Sequence, residues 1–162
     1  MKKEKLEKTN AMRILDQRNI PYKVHEYNPE NAVSCKEVAA ILSQDVEQVF
    51  KTLVTIGRSK EHYVFVVPGE CTLDLKKAAK ASGEKFIEMI PQKDLLPLTG
   101  YIHGGCSPIG MKKVFPTFVD ETAELFDTIL ISGGKRGLQI EIAPADLKKA
   151  VDLTFLDISE AE

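Results

Sequence analysis

The sequence predicts a single α/β or α+β domain built on a curved, mixed β-sheet with a barrel-like core and flanking helices. Three observations lead there. Runs with strand periodicity and short runs with helical periodicity are interspersed along the whole chain. No internal repeat, low-complexity tract or Pro/Ser-rich linker divides them, so residues 1–162 read as one domain. A chain of 162 residues, 43% hydrophobic and 28% charged, can bury roughly 70% of its unfolded surface without disulfides or metals.

Taken in order, Thr9 can cap a helix running to about Arg18 with Met12 and Leu15 inward, stopped by Asn19-Ile20-Pro21. Tyr22–Tyr27 alternates as a strand, and Asn28–Asn31 reads as a turn. Ser34 and Glu37 have capping-box spacing, opening a helix with Val38, Ile41 and Leu42 on one side. Phe50–Ile56 and the nearly all-apolar His62–Val67 are strands that can pair as a hairpin across Gly57–Glu61. Asp74 or Thr72 caps a helix with Leu75, Ala78 and Ala79 inward and lysines outward, ended by Gly83. A short helix can follow Pro91. Strand patterns then recur at Thr117–Asp120, Thr128–Ser132 and Leu138–Ile142. A helix from Pro144 to about Val151 and a strand at Thr154–Ile158 close the order.

Composition narrows the function. Met1–Asn10 carries charges of both signs and lacks the apolar stretch of a signal peptide. The longest strongly apolar run, Tyr63–Val67, is too short to cross a bilayer. The expectation is a cytoplasmic protein with no membrane partner. The three cysteines, Cys35, Cys71 and Cys106, are too few and too scattered for a disulfide framework or a zinc site. A net charge of −2 argues against tight, nonspecific nucleic-acid binding and leaves that role to local clusters. These are Lys76/Lys77/Lys80, Lys112/Lys113 and Lys135/Arg136.

Three segments can carry chemistry. Gly104-Gly105-Cys106-Ser107-Pro108-Ile109-Gly110 must be a tight loop, whose N–H groups can face a ligand and stabilise an oxyanion, or which can simply turn the chain. Within it Ser107 lacks a nucleophile elbow, and no His–Asp pair is evident to activate Cys106. Lys51 stands in Val49–Val54, a strand apolar on both sides; it either points into a pocket toward an anionic or carbonyl partner or guards a sheet edge. Ser132-Gly133-Gly134-Lys135-Arg136-Gly137 can meet a phosphate or sugar, or be a hairpin loop with solvated charges; it lacks Walker spacing. His25 is a weaker pocket candidate, equally readable as structural.

Together these segments carry a resemblance. Val49–Val54 with Leu73–Ala79 resembles the first half of the YbaK/EbsC-type Cys-tRNA(Pro) deacylases. Gly100-Tyr101 with Gly104–Gly110 and Lys112-Lys113 resembles their central signature, and Ile131–Leu138 followed by Ile140-Glu141 their C-terminal one. The match runs from about Ala11 to Asp157 in the family's order and spacing. The resemblance implies a fold related to the editing domain of bacterial prolyl-tRNA synthetases. It implies hydrolysis of the ester joining cysteine to the 3′ adenosine of tRNA(Pro), without cofactor or metal and with prolyl-tRNA synthetase as a partner. Lys51 and Gly104 would be catalytic. Tyr27, Thr52, Ser132, Gly133, Arg136 and Gln139 would bind substrate, along with Gly105, Cys106, Ser107 and Pro108. Gln139 departs from the family's aspartate, keeping hydrogen-bonding capacity but losing the charge.

The resemblance also implies that the substrate's own thiol attacks its ester, giving a cyclic thiolactone, so that the protein need only impose geometry and stabilise the oxyanion. Three alternatives stay open on sequence. The amino acid can be another, such as alanine on tRNA(Pro) attacked by water; the chain can be a noncatalytic aminoacyl- or nucleotide-binding module; or Cys106 can be a protein nucleophile.

Overall fold

A computed structural model describes residues 7–161, so the first six residues of the charged stretch Met1–Asn10 lie outside the described residues. The elements follow from local chemistry. Helix α1 (Asn10–Gln17) starts where Thr9 Oγ1 accepts the Met12 N–H, and it buries Ala11, Met12 and Leu15. Strand β1 is Lys23–Glu26. Helix α2 (Cys35–Ile41) has the reciprocal Ser34/Glu37 capping box. Strands β2 (Phe50–Gly57) and β3 (His62–Pro68) form the expected antiparallel hairpin, in the register Lys51↔Val67. After β4 (Cys71–Leu73), the Asp74 carboxylate accepts from Lys76 and Lys77 N–H to open α3 (Leu75–Ser82), and Gly83 ends it at φ 75°. Then come β5 (Ile87–Met89), α4 (Leu95–Thr99), β6 (Thr117–Asp120), β7 (Ile129–Ser132) and β8 (Leu138–Ile142). Helix α5 (Pro144–Ala150), β9 (Leu153–Leu156) and β10 (Ser159–Ala161) follow.

The main sheet has the order β5-β2-β3-β6-β9, antiparallel at β5-β2-β3 and parallel at β3-β6-β9, so it is mixed as expected. Strand β3 reads as apolar throughout because both of its faces are covered. Val64 and Val66 enter the principal core, while Phe65 and Val67 enter a second cluster with Ala78, Ala79 and Ile158. A second sheet, β1-β8-β7, is antiparallel and meets β2 at a parallel bridge, Val49–Leu130. The strand order does not close on itself, so the expected mixed-sheet core is built of open sheets joined at that bridge rather than of a closed barrel.

Other expectations change in detail. Leu75, expected inward, is 47% exposed, because α3 reaches its cluster through Ala78 and Ala79. Ile41 is 43% exposed, because the short α2 turns Val38 and Ala39 inward instead. The closing strand is split. Buried Asp120 accepts the Ile158 N–H at 3.1 Å and the Ser159 hydroxyl at 2.9 Å, bending the chain so that β10 pairs with β4. Among the described residues no helix is long and apolar enough to cross a membrane.

Candidate active site

The site lies where a strand edge is left open. On the side of β2 away from β3, β5 pairs only with Thr55–Gly57, and the Val54 carbonyl accepts the Ile90 N–H at 3.4 Å. At the other end Val49 is bridged to β7. Between them, at Lys51–Leu53, a cavity of about 490 Å³ opens, a volume typical of small-molecule sites. By strand alternation the main-chain groups of Thr52 lie on this same edge as the Val54 carbonyl.

Seven of the expected residues meet in this cavity: Tyr27, Lys51, Thr52, Gly104, Cys106, Ser132 and Gln139. Strands β7 and β8 bring in two of them, because the register places Ser132 directly opposite Gln139. Lys51 is half-buried and its Nζ donates to the Gly69 carbonyl at 3.2 Å. Its two expected environments coincide, since the cavity it lines opens at the unpaired edge of β2. Among the described residues it is the sole Lys, Arg, Asp or Glu side chain lining the cavity. Thr52 Oγ1 and Gln139 Oε1 are both buried without a hydrogen-bond partner. Buried polar atoms are normally paired, so these two oxygens, on residues that both line the cavity, are exceptions.

Five expected residues stand outside the lining: Gly105, Ser107, Pro108, Gly133 and Arg136. They build the wall. Gly105 donates its N–H to the Ile102 carbonyl at 3.0 Å, and a Cβ there would come within 2.8 Å of Lys135 Cα. Ser107 is fully buried, its Oγ accepting the Ile109 N–H at 3.2 Å. Pro108 is buried beside it, and Gly133 gives its N–H to Leu138. Arg136 ties the two glycine-rich loops together by donating Nε–H to the His103 carbonyl at 3.2 Å. Among the described residues, the N–H groups of Gly104 and Cys106 donate to no protein acceptor, which leaves them free to meet a developing negative charge.

Sequence reasoning missed other lining residues: Ser34 at the cap of α2, Cys35 and Val38 within it, Gly69, and Ile90 and Gln92 after β5. Only the Ser34 capping signal was visible, and it reports helix geometry rather than a pocket. A Cβ on Gly69 would sit 2.1 Å from Cys35 Cβ, a close approach set by tertiary packing. His103 lines the cavity, but His25 does not; its Nε2 is 2.7 Å from Glu141 Oε1, and Thr128 Oγ1 donates to Glu141 Oε2 at 2.7 Å. These bonds, Thr128 foremost, hold the Glu141 carboxyl below its ordinary range.

Both thiols of the cavity are held in the protonated form. Burial pushes Cys106 up to about 11, with a weaker opposing contribution from Thr99, so it is protonated near neutrality. Burial also raises Cys35, against the nearby Lys51 ammonium. A protonated, buried thiol makes a poor nucleophile. Among the described residues no group of three or more His, Cys, Asp and Glu side chains is placed to hold a metal ion.

With this geometry in view, comparison with known proteins is decisive about kinship. Residues 29–150 match the family model of the aminoacyl-tRNA editing domain. The chain belongs to that family. Within it, the chain is 48% identical over 162 residues to EbsC of Enterococcus faecalis, covering 99% of both, a protein named for an inferred Cys-tRNA(Pro)/Cys-tRNA(Cys) deacylase activity. Its structure resembles a candidate trans-editing enzyme for prolyl-tRNA synthetase, with TM-score 0.85 and 26% identity over 94% of this chain and 96% of that one. The fold is also that of the hypothetical protein APE2540, with TM-score 0.86 and 21% identity over 94% of this chain and 100% of that one. The resemblance carried by the sequence motifs is borne out, and with it an editing-domain fold.

Proposed function

We propose that this editing-domain protein hydrolyses the ester between cysteine and the 3′ adenosine of tRNA(Pro), clearing a mischarged product in the cytoplasm in association with prolyl-tRNA synthetase. The observation that carries the reading is the chemistry of the cavity lining. It offers one cation, Lys51, no carboxylate, and two buried oxygens, on Thr52 and Gln139, that lack donors. An aminoacyl ester supplies the missing donors through its α-ammonium group. Lys51 uses one of its three N–H donors on Gly69, leaving two for the 3′ end of the RNA. Gly104 and Cys106 line the cavity, and in this reading their N–H groups stabilise the carbonyl oxygen as it gains charge. The 48% identity to EbsC supports cysteine as the amino acid.

A lining without Asp or Glu lacks the carboxylate base that would activate a water. The substrate's own thiol supplies a nucleophile instead. Its sulfur forms a bond to the ester carbonyl carbon, the bond from that carbon to the ribose 3′ oxygen breaks, and the thiol proton passes to the departing 3′ hydroxyl. Water then opens the resulting thiolactone to free cysteine. The protein's part is to fold the aminoacyl group so that sulfur and carbonyl meet.

The test is single-turnover release of amino acid from Cys-tRNA(Pro), Ala-tRNA(Pro) and an S-methylated Cys-tRNA(Pro). Fast release confined to unmodified cysteine is expected. Equal rates for all three would remove the thiol mechanism, and release from none would leave a binding module.

A further inference from the structure

A second cavity, of about 410 Å³, lies behind the loop wall of the first. It is polar and basic. Its floor is Tyr101, and its sides come from the start of α1 and from the segments around Gly100, Gly110 and Gly134. Four cationic side chains line it: Lys8, Arg13, Lys112 and Lys135. Lys8 is paired with Asp16, and Glu7 contributes the one carboxylate among the described lining residues. Arg13, Lys112 and Lys135 are exposed and form no ion pair among the described residues. A protein of net charge −2 thus concentrates unneutralised positive charge in one concavity.

The walls are built rather than incidental. Thr9 Oγ1 donates to the Gly133 carbonyl at 2.6 Å, Asn10 Nδ2 to the Gly110 carbonyl at 3.2 Å, and Tyr101 OH to the Ile109 carbonyl at 2.6 Å. The Lys112 stem runs across Gly100, where a Cβ would lie 3.3 Å from Lys112 Cγ. Both glycine-rich loops therefore separate the two cavities and face each of them. Ser132 lines the first, while Gly134 and Lys135 line the second. Three residues of chain span at most about 11 Å. Along a stacked nucleic-acid strand the phosphates recur about every 3.4 Å of helix axis. An RNA strand ending in the first cavity would then place backbone phosphates within reach of the second, about three nucleotides back.

We propose that this second cavity is a phosphate-binding subsite for the single-stranded 3′ end of the RNA, with Arg13, Lys112 and Lys135 as its cations. It rests on the reading of the first cavity as an aminoacyl-ester site. Binding of an uncharged acceptor minihelix carrying the tRNA 3′ end, followed by fluorescence anisotropy between 50 and 200 mM salt, reads the subsite directly. Removing two phosphate contacts in Lys112→Glu/Lys135→Glu lowers the salt slope by about 1.4, so the wild-type affinity falls about sevenfold more than the variant's across that range. Lys76→Glu/Lys80→Glu, an equal charge change on α3, keeps the wild-type slope. Lys112→Ala/Lys135→Ala gives the same slope reduction if the glutamates disturb folding, which melting curves reveal.

An unaltered slope in both Lys112/Lys135 variants overturns the proposal, as does an equal drop in the α3 control. Because the RNA is uncharged, these results are independent of ester cleavage. In a companion assay the Lys112/Lys135 variant is expected to lose at least tenfold more kcat/KM on aminoacyl-tRNA than on the same amino acid esterified to adenosine alone. An equal loss on both substrates also counts against a phosphate subsite. A missing cleavage activity in wild type, with the slope still reduced in the Lys112/Lys135 variants, would instead fault the deacylase reading.

Discussion

Gln139→Leu is expected to raise the stability of the free protein while lowering its turnover. Gln139 is 7% exposed and its Oε1 has no partner. An unsatisfied buried polar group costs about 1–3 kcal/mol. Gln139 borders a cavity of about 490 Å³, roomy enough for water nearby, which places the gain near the lower end. Leucine, of similar size and fully apolar, should therefore stabilise by about 1 kcal/mol, raising Tm by about 2–4 °C for a chain of this length. Substrate binding moves the other way. Losing an acceptor for the α-ammonium group removes a hydrogen bond to a charge worth about 1.5–3 kcal/mol, or about 10- to 100-fold in kcat/KM. Thermal unfolding by circular dichroism and steady-state deacylation on the same preparation measure both. A variant that melts below wild type, or that keeps full kcat/KM, would refute the view that this oxygen awaits a substrate donor.

Three further outcomes follow from the same geometry. Gly105→Ala drives a Cβ to 2.8 Å from Lys135 Cα and 3.0 Å from Arg136 N, both backbone atoms, so both loops must shift; a loss of about 1–3 kcal/mol is expected in chemical denaturation. Gly83→Ala is the contrast, with no atom within 4 Å of the new Cβ but a φ of 75°, and should cost only about 1–2 kcal/mol of left-handed strain while leaving the site intact. Cys106 titrates near 11 when folded against 9.0 ordinarily, so between those values the native state holds more protons and stability falls as pH rises, by up to about 1.4 kcal/mol per unit. Cys106→Ala should flatten that slope between pH 9 and 10 in urea titrations and keep turnover within an order of magnitude, where loss of a nucleophile would abolish it.

Much of the fold was legible because its signals are local. Thr9, Ser34/Glu37, Asp74 and Gly83 mark helix ends through bonds made within a turn. The two covered faces of β3 show as an unbroken apolar run. Strands β4, β5 and β10 escaped, because three residues are too few for periodicity and their partners are distant; Ser159–Ala161 pairs with Cys71–Leu73. The same limit applied to the site. Lys51 and the two glycine loops were visible as misfits to strand and turn patterns. Cys35 against Gly69 was not, since nothing in either neighbourhood signals a contact made across 34 positions of chain. The second cavity was half visible. Lys112 and Lys135 stood out as clusters, but only folding sets them beside Arg13.

The measurement that bears most directly on the central claim is the rate of cysteine release from Cys-tRNA(Pro) by the wild-type protein and by Lys51→Ala, with melting curves for both. Among the described residues Lys51 is the cavity's only Lys, Arg, Asp or Glu side chain. Rapid release by wild type and a loss of at least about 100-fold in a folded Lys51→Ala are expected, the scale of removing a charged contact to the reacting substrate. Release no faster than the uncatalysed rate, or an unimpaired Lys51→Ala, would contradict the account.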